Sequence, residues 1–267
     1  MLFNFHTHTS FCDGKNTAEE MVETAIREGF CSLGFSGHGY TAFDQRYCIT
    51  DVSGYRAEII RLKEKYKKDI QIYLGVEEDI YGRAERADFD YVIGSSHYYR
   101  IGEKLFDVDG SMEDTLNALK ECGGDPLHLA EIYYSNFTDY ILSAKPDIVG
   151  HFDLLTKFDE KDTPLFLNNK EYEKIAEKYL TFALKSDCIF ELNTGAISRG
   201  YRTTPYPAEN LLHIMKKNNA KITISSDAHK KENLSFGLSE AKKYLSYIGF
   251  KKVYALCDGK FSAFDLN

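Results

Sequence analysis

Several features are missing from this chain of 267 residues, and each absence narrows what the chain can do. No apolar run approaches the roughly 20 residues that a membrane-spanning helix needs, so no membrane partner is expected. The N-terminus lacks the pattern of a secretory signal, which points to the cytoplasm. Basic residues are outnumbered, 33 Lys and Arg against 41 Asp and Glu, for a net charge of −8. A general nucleic-acid surface would be basic, so no nucleic-acid partner is expected. An anionic substrate stays open, because bound metal ions can reverse the local sign. The six cysteines, Cys12, Cys31, Cys48, Cys122, Cys188 and Cys257, form no C-x-x-C pair. That excludes a zinc knuckle and a thioredoxin motif and fits reduced thiols. No G-x-G-x-x-G follows the first strand, so the dinucleotide-binding fingerprint is absent. No linker, short-period repeat or low-complexity tract divides the chain, which predicts a single domain over 1–267.

What the chain does have is an alternation of strand-like and helix-like stretches. Leu2 to Phe5 reads as a first strand. The capping box Thr17-Ala18-Glu19-Glu20 starts an amphipathic helix that ends near Gly29. Further strands are predicted at Cys31 to Phe35, Ile70 to Val76, Tyr91 to Gly94, Asp147 to Gly150, Ile189 to Leu192 and Lys221 to Ser225. Helices are predicted at Val52 to Lys67, with Ile59, Ile60 and Leu62 on the apolar side, and at Met112 to Ser143, interrupted at Gly123-Gly124-Asp125-Pro126. Others follow at Lys170 to Lys185, Ala208 to Asn218 and Leu238 to Ile248, before a short run at Lys252 to Leu256.

Metal-ligating residue types recur at one place in this pattern. His6 and His8 close the first strand, and residues two apart on a strand point the same way. Asp13, His38, Glu77, His97, His151, Asp227 and His229 each follow an apolar, strand-like run. An open sheet would spread such positions along an edge, whereas a barrel brings them to one rim at the C-terminal ends of its strands. Six histidines and three carboxylates exceed the four to six ligands that one ion takes. The inventory points to two or three divalent ions (Zn, Fe or Mn) and to hydrolysis of a phosphate ester.

His6-Thr7-His8, Asp13, His38, Glu77, His97, Gly150-His151-Phe152-Asp153 and Asp227-Ala228-His229 resemble, in order, the motifs of the PHP (polymerase and histidinol phosphatase) superfamily. Shape and length most resemble its stand-alone histidinol-phosphate phosphatases. The resemblance implies a distorted (β/α)7 barrel with three ions and a small-molecule phosphate ester, L-histidinol phosphate of histidine biosynthesis, as substrate. It implies that His6, His8, Glu77 and Asp227 hold the first ion. Glu77 would bridge to a second held by His97 and His151, and Asp13, His38 and His229 would hold the third. Glu77, Asp227 and His229 would carry the catalysis. Many relatives have histidine where this chain has Asp13, which makes the third site harder. Arg199 stands where the family's phosphatases place a phosphate-binding arginine; Lys157 and Arg202 are further candidates.

The same residues admit other readings. Other phosphate esters would suit the same site, and a non-catalytic metal-binding barrel is a further alternative. An amidohydrolase would carry a lysine at the end of the fourth strand, where this chain has Gly94-Ser95-Ser96-His97. Cys12 reads as a buried thiol beside the site, and His128 and His213 as ordinary helix histidines. Asp153 could orient a ligand or protonate a leaving group. The exposed faces show no long heptad pattern, which leaves the oligomeric state open.

Overall fold

The structure is a computed structural model that describes residues 1–82, 84–161 and 164–266. Seven parallel strands form its centre in the order β1 (Phe3–Asn4), β2 (Ser32–Phe35), β3 (Gln71–Asp79), β4 (Tyr91–Ser95), β7 (Ile148–Val149), β8 (Ile189–Asn193) and β9 (Lys221–Ser225). A single bridge, Thr7 to Ala228, joins the two edge strands. The His8 amide donates to Ala228 O (2.9 Å) and the Ala228 amide to His6 O (3.2 Å), so the sheet is a nearly closed barrel. The predicted α/β barrel of seven strands is therefore the observed architecture.

Helices α1 (Ala18–Arg27), α2 (Val52–Lys65), α3 (Met112–Glu121), α4 (Pro126–Ala144), α5 (Lys170–Ala183), α6 (Gly195–Ser198), α7 (Glu209–Lys217) and α8 (Leu238–Ile248) accompany the strands. The capping box of α1 is formed, with the Glu20 amide donating to Thr17 Oγ1 and the Thr17 amide to Glu20 Oε2. The predicted break at Gly123 to Pro126 separates α3 from α4, where Pro126 occupies the first helical turn behind the Asp125 cap. On α2 the buried residues are Tyr55, Ile59 and Leu62. Ile60, expected on the apolar side, is 54% exposed.

Two hairpins were not anticipated. One, β5 (Tyr98–Ile101) with β6 (Lys104–Asp107), follows His97 directly. The other, β10 (Lys252–Cys257) with β11 (Lys260–Asp265), caps the barrel's N-terminal mouth. Its Phe261 packs edge-on against Phe5 and Tyr91, and Asp258 exchanges hydrogen bonds with Gln71 at the start of β3. With that end plugged by aromatic rings, the C-terminal rim is left for chemistry.

Strand β3 is longer than expected because it serves two neighbours. Residues 71–74 pair with β2, and residues 75–79 pair with β4. This carries Glu77, Glu78 and Asp79 into regular strand, with alternate residues on opposite faces. Glu78 points outward, where Arg86 Nη2 donates to it (2.9 Å) and the Tyr140 hydroxyl donates as well. Glu77 and Asp79 point inward.

Candidate active site

The His-x-His pair is locked from both sides. Thr7, between the two histidines, is pinned by two bonds: its amide donates to Ser36 Oγ (3.1 Å) and its hydroxyl to Gly34 O (2.7 Å). With the backbone fixed between β2 and β9, both imidazoles turn inward, their centroids 5.2 Å apart. All nine expected ligands meet at this rim.

Glu77 lies at the centre. Its Oε2 is 3.1 Å from His6 Nε2, 3.6 Å from His8 Nε2 and 3.0 Å from His38 Nδ1. Its Oε1 is 3.1 Å from His151 Nε2 and 3.3 Å from His97 Nε2. One carboxylate thus faces two sets of imidazoles, the placement a bridging ligand needs. Asp227 Oδ1 sits 3.2 Å from His8 Nε2 and 3.7 Å from His6 Nε2. Asp13 Oδ2 is 3.1 Å from His229 Nε2, and Asp13 Oδ1 is 3.7 Å from His38 Nε2.

The donors fall into four overlapping groups, each within 4.8 Å: His6 with His8 and Asp227, His6 with Glu77 and His151, His38 with Glu77 and His97, and His8 with Asp13, His38 and His229. The grouping differs in detail from the expected ion-by-ion division. His38 faces Glu77 as well as Asp13, and His8 joins the Asp13 group. Cys12 Sγ lies 3.6 Å from His8 Nδ1 but belongs to none of the groups. Burial, with Asp13 beside it, pushes its thiol up to about 12, so it is a protonated neighbour.

The donor set fits divalent cations. His6 Nε2, His8 Nε2, Glu77 Oε2 and Asp13 Oδ1 are buried without a hydrogen-bond partner, although they face one another. Buried polar atoms are ordinarily satisfied, and several orphans aimed at common points are what ligands sharing ions look like. Charge tells the same story. Burial pushes the Glu77 carboxyl up, but His6, His97 and His38 outweigh it and hold it well below the carboxylate range. Burial likewise acts against Asp227, and Arg199 and His6 reverse it. His8 is driven down to about 3 by burial and by His229 and His38, so its lone pair is available to a cation.

The rim opens into a cavity of about 370 Å³. Arg199 and Lys157 both line it, as the sequence suggested. Arg199, just after α6, donates through Nη2 to Asp227 Oδ2 (3.0 Å) and through Nη1 to Asp227 O (3.0 Å). Lys157 is 7% exposed and donates to Asp109 O (2.6 Å). Arg202 is a correction: it is buried away from the cavity, donates to Thr156 and Thr204, and stacks on Tyr206. Asp153 does not line the cavity, and its Oδ2 accepts from the Ala208 amide at the start of α7 (2.9 Å). His128 and His213 lie on α4 and α7, outside the site.

The profile of the PHP domain matches residues 4–195. The chain belongs to the PHP domain family. Among PHP relatives, a Schizosaccharomyces pombe protein named "Probable histidinol-phosphatase" is 28% identical over 290 aligned residues, covering 96% of this chain and 89% of that protein. A "Histidinol-phosphatase" of Lactococcus lactis subsp. lactis is 24% identical over 94% of this chain and 92% of its own. The solved histidinol phosphate phosphatase of Lactococcus lactis, complexed with Zn, L-histidinol and phosphate, superposes with a TM-score of 0.73 at 20% identity. That match covers 97% of this chain and 98% of the other, and it shows a shared fold.

Two acids of this PHP site orient its histidines; Glu191 escaped the sequence reading, and Asp79 was placed only on the face of Glu77, without a role. Glu191, inside β8, is buried, and its Oε1 lies 2.7 Å from His6 Nδ1. An ionised carboxylate only accepts, so Nδ1 carries the proton and Nε2 is aimed at Glu77 and Asp227. The other oxygen of Glu191 accepts from the His151 amide (2.9 Å) and from Asn193 Nδ2 (3.0 Å). Asp79 accepts from the His97 amide (2.9 Å) and lies 3.4 Å from His97 Nδ1, so it orients a second imidazole. An acid amid the apolar run Ile189-Phe190-Glu191-Leu192 was the available signal for Glu191, since a buried charge needs a partner.

Proposed function

We propose that this chain is a metal-dependent phosphomonoesterase that hydrolyses L-histidinol phosphate to L-histidinol and phosphate in the cytoplasm, within histidine biosynthesis. The observation that carries the reading is the convergence of eight ligand-type side chains around Glu77, at the floor of a cavity that Arg199 and Lys157 also line. The PHP membership and the histidinol-phosphatase relatives support the substrate. In this reading residues 1–267 act as one domain, since Asp227 and His229 lie beyond the matched segment. Among the described residues no helix is long and apolar enough to cross a membrane.

His6, His8 and Asp227, with Glu77 between, would hold one divalent ion; Glu77, His97 and His151 a second; Asp13, His38 and His229 a third. Zn, Fe and Mn all suit such ligands, with the oxygen-rich Asp13 position favouring Fe or Mn. Bound there, divalent ions supply Lewis acidity toward phosphate oxygens and make water more acidic. The chain's own contribution is orientation. Arg199, fixed by Asp227, presents its guanidinium at the cavity wall, where a phosphate oxygen accepts from it. A cavity of this size takes a small phosphate ester.

The test is phosphate release from L-histidinol phosphate by purified protein with Zn²⁺, Fe²⁺ or Mn²⁺, beside sugar phosphates, nucleotides and p-nitrophenyl phosphate. A strong preference for L-histidinol phosphate, abolished by a chelator, is expected. Comparable slow release from every ester would withdraw the substrate, and release from none would withdraw the activity.

A further inference from the structure

An alkyl phosphate such as L-histidinol phosphate leaves a strongly basic alkoxide, so its cleavage calls for a proton donor at the ester oxygen. The cavity wall offers few. Arg46 and Arg199 carry guanidinium groups, which do not release a proton in proteins. Tyr98 spends its hydroxyl on Asp44 Oδ2 (3.0 Å) and Tyr47 (2.8 Å), and burial pushes the Tyr47 hydroxyl far above its ordinary range. Asp107, whose carboxyl burial pushes up and Arg46 pulls back, is turned to Arg46 (3.2 Å) at the exposed edge of the cavity. Asp109, pushed up by burial, is pulled down to about 2 by Lys157, His97 and His151, so it is a carboxylate with no proton to give.

Lys157 differs from all of these. Its ammonium is held in the wall by Asp109, donating to the carbonyl oxygen at 2.6 Å and lying 3.4 Å from Oδ2. An ammonium has three N–H groups. Among the described residues these contacts occupy two, and the side chain is nine-tenths buried between Tyr201 (4.7 Å to its centroid) and Phe158 (5.4 Å). The Val108 amide donates to His97 O (2.8 Å), which ties the Asp109 turn to a ligand-bearing segment.

From this geometry we infer that Lys157, oriented by Asp109, is the proton donor to the leaving alcohol. The P–O ester bond breaks with its electron pair passing to the ester oxygen, which takes one proton from Nζ. A water oxygen forms the new bond to phosphorus and releases one proton, and solvent returns a proton to the amine. The sum is ester plus water giving alcohol plus phosphate. The inference rests on the phosphomonoesterase reading, and it assigns Lys157 a role distinct from gripping phosphate.

Leaving-group dependence tests it. Lys157→Ala and Lys157→Arg are compared with the wild type on L-histidinol phosphate, on glycerol phosphate and on p-nitrophenyl phosphate, whose leaving group needs no proton. Metal content and melting temperature serve as controls of folding. Both variants are expected to lose about a hundredfold or more in kcat on the alkyl esters and less than about tenfold on the aryl ester. Equal losses on all esters in Lys157→Ala, restored by Lys157→Arg, would overturn the inference and make Lys157 a charge that binds phosphate. A wild type inert toward L-histidinol phosphate but active on glycerol phosphate would remove the substrate while the same comparison still decides Lys157. A wild type that cleaves only the aryl ester, or none, would also overturn the inference.

Discussion

At Glu191 a carboxylate accepts from four groups inside the barrel: His6 Nδ1, the His151 amide, Asn193 Nδ2 and the Ser225 hydroxyl. Burial pushes this carboxyl up, and His6 pulls it below its ordinary value. Glu191→Gln puts an amide N–H where an oxygen now accepts, which frees the His6 ring to turn or change tautomer. Metal affinity should fall about ten- to a hundredfold, read by competition with a chelator. Unchanged affinity would mean that His6 is oriented by other contacts. This residue also marks where the sequence stopped being legible. His6 and His8 stood out because their spacing gives them one face of a strand, and the other ligands because each ends an apolar run. Glu191 and Asp79 lie within strands, and only the packing around them reveals what they orient. Arg202 failed for the opposite reason: its distance along the chain from a ligand does not say which way the side chain turns.

Elements with strong local signals were read closely. Lys221–Ser225 and Leu238–Ile248 match their expected bounds, the Thr17 box placed the start of α1, and the Gly123 to Pro126 break separated α3 from α4. The two hairpins were not read, because β5 and β11 alternate polar and apolar residues weakly and their pairing partners are set by turns. The length of β3 was also missed, since it is fixed by having β2 on one side and β4 on the other. Where these strands meet, Gly75 leaves room for the Tyr91 ring, whose hydroxyl donates to Phe5 O (2.6 Å) across the barrel. A Cβ on Gly75 would stand 2.3 Å from that ring, buried among fixed neighbours. Gly75→Ala should therefore destabilise the chain by about 1–3 kcal/mol through overpacking, measured by urea unfolding. A neutral effect would show that Tyr91 can retreat without loss.

For the whole molecule the ligand cluster sets a pH signature. Burial lowers His6, His38 and His97, but the carboxylates around them more than reverse it, so all three lie above the ordinary value of 6.5. Such groups stabilise the fold fully below about 6.5 and lose that contribution as pH rises through their folded values. Glu77 and Asp227, held below 4.5 and 3.8, contribute above those values and lose it as pH falls. His8, down at about 3, works against the three raised histidines but is outnumbered. The chelator-treated protein should have its highest melting temperature between about pH 4.5 and 6.5 and weaken toward pH 8. With metal restored, ligation needs deprotonated histidines, and the optimum should move upward. Thermal unfolding across that range with and without chelator checks both, and a metal-free Tm still climbing at pH 8 would contradict the protonated cluster. The single bridge from Thr7 to Ala228 has a consequence in the order of synthesis. A ribosome delivers His6 and His8 first and Asp227 and His229 last, and the set they share exists only once the final parallel strand has docked beside the first. A nascent chain that stalls before residue 227 already carries the His6, Glu77, His151 and His38, Glu77, His97 groups but lacks the two that need Asp227 or His229, so the full complement of ligands forms only as the barrel closes.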